Sequence, residues 1–358
     1  MRLAFILLAM IAALSSPALA AAQEPKRQRG KATIEETRPD HFPHRIWVAC
    51  DFESRRPDYA WFGPAETEQI PRYPGNATAL GVKEKPYGKF AGLMTGINPV
   101  PGPCMGKLNK MYVRYFLKGD TAATFQHFSL TREDNCRIAV SGLTEGKWSE
   151  ATLNFTRDSA RNDGSAEPFA RGERMDDLKV FVGKPNDGKD YQLYLDDVIF
   201  FDDDPAQPRD PEPFPRRVIY VAGFDTGIDP KSRSKYFPGE MQVVAAKDAP
   251  ADSYWGVAKA VPQKDAKGRK WMRLQVEPPK SVGAHTKVRF RYHATGVKQL
   301  TAQIFDVTDG DNRLVVVKDL KQDQWQFIHV DFTKDGIKND GKQTPFAAGH
   351  KVDDIFLF

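Results

Sequence analysis

The sequence predicts an all-β protein made of two β-sandwich domains in tandem. Its apolar residues alternate with polar ones in short segments rich in aromatic and β-branched side chains, as in strands with one buried face. Much of the first half of the chain is repeated in the second at a constant offset, so each half predicts one sandwich. Five prolines within residues 205–215 predict a stiff, extended linker between the halves.

Residues 1–20 predict a signal peptide. Met1 and Arg2 precede the apolar run LAFILLAMIAAL, and small residues ending at Ala20 follow it, which is the pattern of a secretory leader. The run is shorter than the ~20 residues that span a bilayer, and no later stretch approaches that length. We therefore expect an exported protein, secreted or periplasmic, without a membrane span.

The composition favours packed cores and gives no sign of nucleic-acid binding. Hydrophobic residues make up 41% of the chain, and 52 basic and 47 acidic residues are interspersed, leaving a net charge of +5. The one dense basic cluster, KRQRG at 26–30, lies in a basic and polar N-terminal segment, 21–44. We interpret the cluster as a solvated tail, and docking to an acidic surface is the alternative. We expect no nucleic-acid partner.

The cysteines leave the disulfide pattern open. Cys50, Cys104 and Cys136 all lie in the first half, and none has a cysteine counterpart in the second. An exported protein can form disulfides, but an odd number leaves one thiol over. The sequence does not say which two pair, if any, and a bridge cannot be a requirement of the repeated fold.

The repeat aligns without a gap over the later part of each half. From Asn135 and Asn312 to Phe181 and Phe358, corresponding positions stand 177 residues apart. We expect the repeated phenylalanines to lie in the cores and the repeated tryptophans to pack on the sheets. The matched pairs include Trp148/Trp325, Phe155/Phe332, Gly164/Gly341, Phe169/Phe346 and Asp177/Asp354.

Further upstream the alignment slips but the likeness persists. YVRYFLKG at 112–119 corresponds to KVRFRYHA at 287–294, and RIWVACDFES near the start corresponds to RVIYVAGFDT after the prolines. We therefore place the first domain at 45–204 and the second at 216–358, and we call them unit one and unit two.

Each unit contains a series of short predicted strands bounded by Gly, Pro, Asn and Asp. No segment keeps an amphipathic helical pattern over three turns, and TRDSARNDG and TKDGIKNDG can each hold one helical turn at most. The predicted strands are MYVRYFLKG, FQHFSL, CRIAVSGL, LKVFVG and LYLDDVIFF in unit one, and TAQIFDV, RLVVVKDL, QFIHVDF and DIFLF in unit two.

Three motifs suggest a more specific fold. They are the early DFE segment at 51–53, the tryptophan before an alternating strand in GKWSEATLNF, and the terminal LYLDDVIFF. Together they resemble the jelly-roll, galactose-binding-like superfamily, which includes many carbohydrate-binding modules. The resemblance covers most of each unit through short motifs. It implies a jelly-roll sandwich that binds sugars or other surface ligands, in several members with a structural calcium near the first and last strands.

The end of the chain raises the question of a missing strand. In unit one MDDLKVFV is followed by a turn and by YQLYLDDVIFF, whereas unit two ends at Phe358, the counterpart of Phe181. On the gapless alignment unit two lacks its closing strand. Alternatively VDDIFLF is itself that strand, because its acidic pair also matches Asp196 and Asp197. We favour the first interpretation, which leaves an open sheet edge and a route to self-association through unit two.

Acidic residues at both ends of unit one predict a calcium site. Asp51 and Glu53 come at the first strand and Asp196 and Asp197 in the last, so they converge if these strands are neighbours. Calcium takes six to eight oxygen ligands. Alternation sends Asp196 and Asp197 to opposite faces, so only one reaches the site unless a bulge intervenes. The alternative is a set of solvent-facing carboxylates; the candidates in unit two are Asp225, Glu240, Asp353 and Asp354.

Loop aromatics are candidates for ligand contact, because flat rings stack on sugar rings. Trp61 in PDYAWFGP corresponds to Tyr236 in SKYFPGE, and both lie in Pro/Gly loops after the first strand. Tyr254 and Trp255 in ADSYWGV are peculiar to unit two. Tethering of a loop is the alternative role for each of them.

Arginines within strands are further candidates. Arg114 corresponds to Arg289, which shares a strand face with Arg291 and His293. Such a row of basic residues can bind a uronate or a sulfate, since an arginine guanidinium can donate two parallel hydrogen bonds to one anion. The alternative is a solvated face with cross-strand ion pairs.

A catalytic site is the least supported of the possible sites. Tyr112, Arg114 and His127 are residue types that polysaccharide lyases on related folds use as base and charge stabiliser. The chain has no nucleophile elbow, no metal-spaced histidine set and no phosphate-cradling glycine loop. Whether the protein is an enzyme is left open, with a non-enzymatic role favoured.

The sequence is therefore interpreted as an exported, non-catalytic carbohydrate-binding protein that engages extracellular or periplasmic glycan. The first alternative is a polysaccharide lyase or glycoside hydrolase on the same fold. The second is a structural or interaction protein of the cell envelope. Two linked modules raise avidity when both sites can reach one polymer.

Overall fold

The predicted all-β class is confirmed. Among the described residues, regular structure other than strand is limited to a one-turn helix, α1 (Phe155–Asp158), and a 3-10 turn at Ala246–Asp248. No helix in this part of the chain is long and apolar enough to cross a bilayer. The computed structural model describes residues 30–34, 38–52, 66–68, 79–83, 91–99, 102–165, 167, 169–224, 239–262, 270–344 and 346–358.

The first half of the chain forms two sheets. The front sheet of unit one has the strand order β1-β8-β7-β11-β5, with β10 beside β8, and the back sheet has the order β3-β4-β12-β6-β9, with β2 beside β12. The strands are β1 (Lys31–Thr33), β2 (Arg45–Cys50), β3 (Glu66–Glu68), β4 (Ala79–Lys83), β5 (Leu93–Ile97), β6 (Asn109–Lys118), β7 (Ala122–Ser129), β8 (Asp134–Ser141), β9 (Ser149–Asn154), β10 (Ala160–Arg161), β11 (Met175–Val182) and β12 (Gln192–Asp202).

The core of unit one lies between its front and back sheets. Strand β7 alternates buried and half-exposed residues along its length, so Phe125 points into the core and Gln126 points out. Phe125 packs in one hydrophobic cluster with inward side chains of the back sheet such as Leu117 and Leu193. Each large apolar side chain buried in this way contributes about 1.5–3 kcal/mol.

The second half of the chain forms two facing sheets and a separate two-stranded pair. The front sheet of unit two has the order β13-β17-β22-β19-β20, with β16 beside β17, and the back sheet pairs β18 with β21; β14 and β15 form a separate pair. The strands are β13 (Gly239–Glu240), β14 (Gln242–Val244), β15 (Val257–Lys259), β16 (Val261–Pro262), β17 (Lys270–Ser281), β18 (Lys287–His293), β19 (Gln299–Asp306), β20 (Asp311–Lys318), β21 (Trp325–Asp331) and β22 (Lys351–Leu357).

The core of unit two corresponds to that of unit one, with some side chains changed and the repeated phenylalanines kept. Ala302 and Ile304 of the front sheet pack against Val288 and Ile328 of the back sheet. The repeated phenylalanines are buried as predicted, with exposed fractions of 2% or less. They are Phe155, Phe169, Phe332 and Phe346.

Strand pairing relates the two units element by element. β22 lies between β17 and β19, as β11 lies between β5 and β7, so the last strand of the chain occupies the place of β11. β18 takes the place of β6 but pairs with β21 alone, and no strand in the described part of unit two takes the place of β12. In these residues the pairing matches the gapless alignment, while the domain boundaries and self-association through the β18 edge stay predictions.

Residues 217–224, the counterpart of β2, form no strand. In unit one β2 pairs with β12, with Cys50 opposite Val198. The described part of unit two has no counterpart of β12. Residues 217–224 therefore lack a neighbouring strand of the kind with which β2 pairs in unit one. They pack through side chains instead, Ile219 against the core of unit two and Val218 against a cluster between the units.

The cysteines are free thiols. Cys50, Cys104 and Cys136 are all buried, and no disulfide joins them. Cys50 and Cys136 pack in the core of unit one. Their counterparts in unit two are not cysteines. They act as small apolar side chains of that core.

Candidate functional site

The outward surface of the front sheet in unit one carries polar and aromatic side chains around a depression. Gln126 and Phe128 come from β7, Asn135 from β8 and Lys179 from β11, and all are half-exposed. Nε2 of Gln126 donates a hydrogen bond to Oδ1 of Asn135 at 3.1 Å. We call this surface face one; its residues line an open depression of about 400 Å³ and are Gln126, Phe128, Asn135, Asp176, Asp177 and Lys179.

The front sheet of unit two presents a closely similar set on its outward side. Nε2 of Gln303 donates to Oδ1 of Asn312 at 2.8 Å. Phe305 lies opposite Asn312 in the β19–β20 register, as Phe128 lies opposite Asn135 between β7 and β8. We call this surface face two; each member stands 177 positions after its counterpart in face one, and the members are Gln303, Phe305, Asn312, Asp353, Asp354 and Phe356.

The residues that are identical between the corresponding strands β7 and β19 lie on the outward side of these strands. Three of the four outward positions are identical, which are Thr124/Thr301, Gln126/Gln303 and Phe128/Phe305. All four inward positions differ, which are Ala123/Leu300, Phe125/Ala302, His127/Ile304 and Ser129/Asp306. Core positions are the ones that packing constrains. Identical outward residues therefore point to a second constraint, and recognition of a shared ligand supplies one.

A β-bulge places two acidic residues beside each face. The register of β11 against β7 shifts just before Leu178, at Asp176 and Asp177. The register of β22 against β19 shifts at the matching position, at Asp353 and Asp354. Bulges are common next to binding sites because the extra residue re-aims a side chain. Both units thus keep the same irregularity as well as the same residues.

The acidic pairs are held in a partly desolvated setting. Burial raises the pKa of Asp176 and of Asp353 above the usual carboxyl value, and the neighbouring Asp177 or Asp354 raises it further. The Oδ1 atoms of Asp353 and Asp354 are buried and have no hydrogen-bond partner among the described residues.

Face two adjoins an aromatic platform that face one lacks. Phe356 stands where face one has Lys179, and its ring stacks on Trp271 of β17 with centroids 5.3 Å apart and planes at 9°. The guanidinium of Arg273 lies 5.7 Å from the centroid of Phe356 and pairs with Asp354, Nη2 to Oδ2, at 2.8 Å. Face two therefore combines a flat apolar surface with a fixed cation and acidic oxygens.

Both faces have the chemistry that sugar recognition needs. Glutamine and asparagine amides offer donors and acceptors together, which matches hydroxyl groups that do the same. Aromatic rings offer flat apolar area for the C–H side of a sugar ring. Sequence reasoning missed these faces, although identity at alternate positions of one strand is the signal that marks a single sheet surface. It used Asn135, Asn312 and Asp177 only to align the repeat, and it considered Asp353 and Asp354 as calcium ligands.

The two arginine candidates make contacts within the protein. Arg114 pairs with Asp197 of the neighbouring strand β12, Nη1 to Oδ2, at 3.3 Å. Arg289 donates to Asp210 and lies over the ring of Phe42 at 4.4 Å. Both guanidinium groups thus take part in internal ion pairs, and their role in ligand binding stays a prediction.

Tyr254 and Trp255 lie where the two units meet. Nε1 of Trp255 donates to Oε1 of Gln207 at 2.7 Å, and Arg45 stacks on the indole at 3.7 Å. Arg171 donates through Nη2 to the carbonyl oxygen of Tyr254 at 2.7 Å. These contacts fit the tethering alternative. Two further loop candidates lie outside the described residues, Trp61 and Tyr236.

Three of the predicted calcium ligands lie near the junction of β2 and β12. These strands are neighbours, as the prediction required. The register of β12 against β6 shifts between Asp196 and Ile199, so the bulge that the prediction required is present. Asp51, Asp196 and Asp197 are all buried, with exposed fractions of 3% or less. Asp51 directly follows β2, and Asp196 and Asp197 lie in the middle of β12, just before Val198, which is opposite Cys50.

The charge balance of these carboxylates fits an ion-pair network better than a cation site. Nε and Nη2 of Arg217 contact Oδ2 of Asp51 at 2.7 and 2.6 Å. Asp197 has Arg114 beside it. Calcium needs several carboxylate oxygens free to turn toward it, so it would compete with both arginines. Glu53 lies outside the described residues, and the calcium site stays a prediction.

Removing divalent cations with EDTA is expected to leave the melting temperature of the purified protein unchanged within about 1 °C. The reason is that arginines already neutralise Asp51 and Asp197. A drop of several degrees, reversed by added calcium but not by magnesium, would instead establish a structural calcium. Differential scanning calorimetry at neutral pH makes the measurement.

The residues considered for catalysis do not converge, and the sequence predicts no catalytic residue. His127 is fully buried, with its ring centroid 4.2 Å from Phe155 and 4.9 Å from Phe200, and burial lowers its pKa to about 3. Tyr112 lies in a different hydrophobic cluster, on the other side of the back sheet. A neutral imidazole enclosed in the core cannot take a proton from a polymer at the surface. These residues therefore supply no lyase site.

One group of potential metal ligands in the described part of the chain has its ligand atoms within 4.8 Å of one another: Asp306, Asp309 and His350. Nη2 of the fully buried Arg313 contacts Asp306 at 3.2 Å and Asp309 at 2.6 Å, while His350 contacts Asp306 at 2.8 Å. Hydrogen bonds from Lys338 and Arg313 lower the pKa of Asp309 to about 2. These cations compensate the carboxylates, so we interpret the group as an ion-pair network.

Unit one carries an ion network at the matching positions with different charges. Arg161 pairs with Glu173 at 3.0 Å, and Arg132 lies 4.0 Å from the same carboxylate. Acid and base are exchanged at two of the three matching positions, while Arg161 and its counterpart Lys338 are both basic. A ligand would need charges of fixed sign, so we interpret the network as serving the fold. The counterparts of Arg132, Arg161 and Glu173 are Asp309, Lys338 and His350.

Comparison with known proteins gives similarity at low levels only. No protein-family model matches the chain, and no curated protein sequence matches it. Among solved structures, the N-terminal CBM22-1–CBM22-2 tandem domain of Paenibacillus barcinonensis Xyn10C is 11% identical, with a TM-score of 0.28; the similarity covers 90% of this chain and 91% of that one.

Two further structures are similar over a single part of the chain. The family 11 carbohydrate-binding module of cellulosomal cellulase Lic26A-Cel5E from Clostridium thermocellum is 10% identical over 48% of this chain and 95% of that one, with a TM-score of 0.28. The enzymatically active domain of tailspike protein 4 from bacteriophage CBA120 is 10% identical over 42% of this chain, with a TM-score of 0.29, and the similarity spans 20% of that chain.

Proposed function

We propose that this protein binds extracellular or periplasmic glycan through face one and face two, without cleaving it. The observation that carries the proposal is the identity of outward residues on β7 and β19, two strands whose inward residues all differ. The amide pair recurs with the same donor, acceptor and geometry, at 3.1 Å in unit one and 2.8 Å in unit two. The low similarity to solved structures adds no weight, so the proposal depends on this chain's own residues.

The shape of the faces favours a polymer over a small molecule. Small ligands are enclosed in clefts that bury most of their surface. Face one is an open depression on a sheet, which leaves both ends of a bound chain free to continue. A polysaccharide presents the same sugar repeatedly, so an open surface with a few hydrogen-bonding groups and a ring can hold a short stretch of it. The protein is therefore a binder of polysaccharide chains.

Face two is expected to bind more tightly than face one, because it has the stacked rings of Trp271 and Phe356. The double variant Gln303→Ala/Phe356→Ala removes an amide and a ring from this face. We expect at least a tenfold weaker affinity of face two for its polysaccharide, or about 1.4 kcal/mol. Affinity electrophoresis and calorimetry on xylan, mixed-linkage β-glucan, agarose and polygalacturonate make the measurement.

Gln324→Ala is the matched control, since Gln324 is an exposed glutamine of the same unit outside both faces. It should bind as the wild type does. Equal binding by the double variant would contradict the assignment of face two, and failure of the wild type on every neutral and acidic glycan would contradict the function. Release of reducing or unsaturated ends from any polymer would show the enzymatic alternative instead.

A further inference from the structure

An apolar cluster covers the back of unit one. Tyr112, Ile199 and Phe201 project from the back sheet on the side away from the core, and they pack on Phe42 and Phe214. Phe214 belongs to the proline-rich segment, so part of that segment is a packed layer on the back sheet. The side of unit one opposite face one is therefore covered.

Unit two meets this layer with the outward side of its own back sheet. Arg289 of β18 lies 4.4 Å from the ring centroid of Phe42, and the ring of His329 on β21 lies 5.7 Å from it. Both side chains donate to the carboxylate of Asp210, which is 1% exposed. Ile328, next to His329, points the other way into the core of unit two. The back sheets of the two units thus face each other.

Further contacts fix this arrangement. Arg217 joins Asp51 of unit one to the carbonyl oxygen of Ser281 of unit two, which its Nη2 reaches at 3.1 Å. The indole of Trp255 in unit two donates to Gln207 at 2.7 Å. Ion pairs, rings and a buried carboxylate act together, so the two units are held in one orientation.

The layers of the molecule follow from these contacts. Their order is front sheet of unit one, its core, its back sheet, the apolar layer, the back sheet of unit two, its core, and its front sheet. Packed sheets lie about 10 Å apart, so three such spacings separate the two front sheets by roughly 30 Å or more. Face one and face two are the outer surfaces of this stack, and they point in opposite directions.

We propose that the protein cross-links glycan chains, with one chain held on face one and another on face two. This inference depends on the proposed function. A single stretch of polysaccharide cannot lie on two surfaces that point apart across the whole molecule. The two faces share their glutamine, phenylalanine and asparagine, so both are expected to take the same class of polymer. The tandem arrangement then serves bridging between chains, where the sequence had suggested avidity on one polymer.

Light scattering of a soluble polysaccharide tests the bridging. The probe is whichever of xylan, mixed-linkage β-glucan or polygalacturonate the wild-type chain binds. Scattering is expected to rise with added protein and to pass through a maximum. It should fall when protein is in excess, because each protein molecule then binds a polysaccharide chain through one face only. Face one is removed by Gln126→Ala/Asn135→Ala and face two by Gln303→Ala/Phe356→Ala. Each double variant should bind with half the stoichiometry and lose at least nine-tenths of the scattering.

Near-ultraviolet circular dichroism confirms that each variant is folded, and Gln324→Ala should scatter as the wild type does. Sedimentation of the protein without polymer measures self-association through the β18 edge. Full scattering by either single-face variant, or wild-type binding at both faces without scattering, would overturn the bridging and leave glycan binding intact. Absence of binding by the wild type would overturn the proposed function itself.

Discussion

Replacing Arg313 by methionine is expected to destabilise unit two by about 3–5 kcal/mol. The side chains of Arg313 and Asp306 are both 0% exposed and lie 3.2 Å apart. Without the guanidinium, Asp306 keeps its charge inside the protein with His350 as its remaining side-chain partner. An uncompensated buried charge costs more than the cavity that the shorter side chain leaves. The free energy of unfolding in urea, followed by tryptophan fluorescence, measures the loss.

The matched control is Arg137→Met, the same substitution at an exposed position of β8. It should change the free energy of unfolding by no more than about 0.5 kcal/mol. Adding Asp306→Asn to Arg313→Met should recover part of the loss, since it removes the buried charge and keeps an oxygen for the backbone N–H of Thr308. A loss below about 1 kcal/mol in the single variant would contradict this account.

Replacing Asp210 by alanine is expected to weaken the contact between the units by about 2–5 kcal/mol. The carboxylate is almost wholly buried and accepts hydrogen bonds from Arg289 and His329. Its removal leaves the guanidinium half-buried without a counter-charge. Small-angle scattering should show a larger radius of gyration, and a protease should cut near residues 205–215 where the wild type resists.

This variant also separates binding from bridging. Each face stays folded in Asp210→Ala, so the affinity of each face for a short oligosaccharide should be unchanged. Units that turn freely can place both faces on one polymer, so the apparent affinity for a long polymer should rise while cross-linking falls. Asp203→Ala, which removes a partly exposed carboxylate paired with Lys110, is the control and should behave as the wild type does.

The same contact should depend on pH in one direction. Burial raises the pKa of Asp210, but hydrogen bonds from Arg289, the backbone of Glu212 and His329 together bring that pKa below its ordinary value. A carboxyl group with a lowered pKa stabilises the folded state at pH values above its unfolded pKa of about 3.9. The contact should therefore hold at neutral pH and loosen only as the pH falls below about 4.

Much of the fold could be predicted because strands leave a local signature. The run FQHFSL alternates buried and half-exposed residues from Phe125 to Ser129 of β7, and MYVRYFLKG coincides with β6 from Met111 to Lys118. The offset of 177 also predicted which strands correspond. The irregular course of residues 217–224 was not predictable from their own sequence, because a strand needs a neighbour and that neighbour belongs to a distant part of the chain.

The candidate site was predicted less well, for a physical reason that the arginines illustrate. Alternation along β18 shows that Arg289 and Arg291 share one side of the strand. It does not show whether that side meets water or another domain, and in the structure Arg289 reaches the buried Asp210. Gln126 and Gln303 are half-exposed on the outward surface of their sheets in the described part of the chain, yet a lone glutamine in a strand gives no sign of function.

The sequence by itself determined the period-two pattern, the duplication and the positions at which the copies stay identical. These properties belong to neighbouring residues or to a comparison of one half with the other. Only the tertiary structure decided which surface of each sheet is covered and that faces one and two point apart. Burial and orientation depend on side chains more than 150 positions away, as in the pairing of Arg217 with Asp51, and no local pattern encodes them.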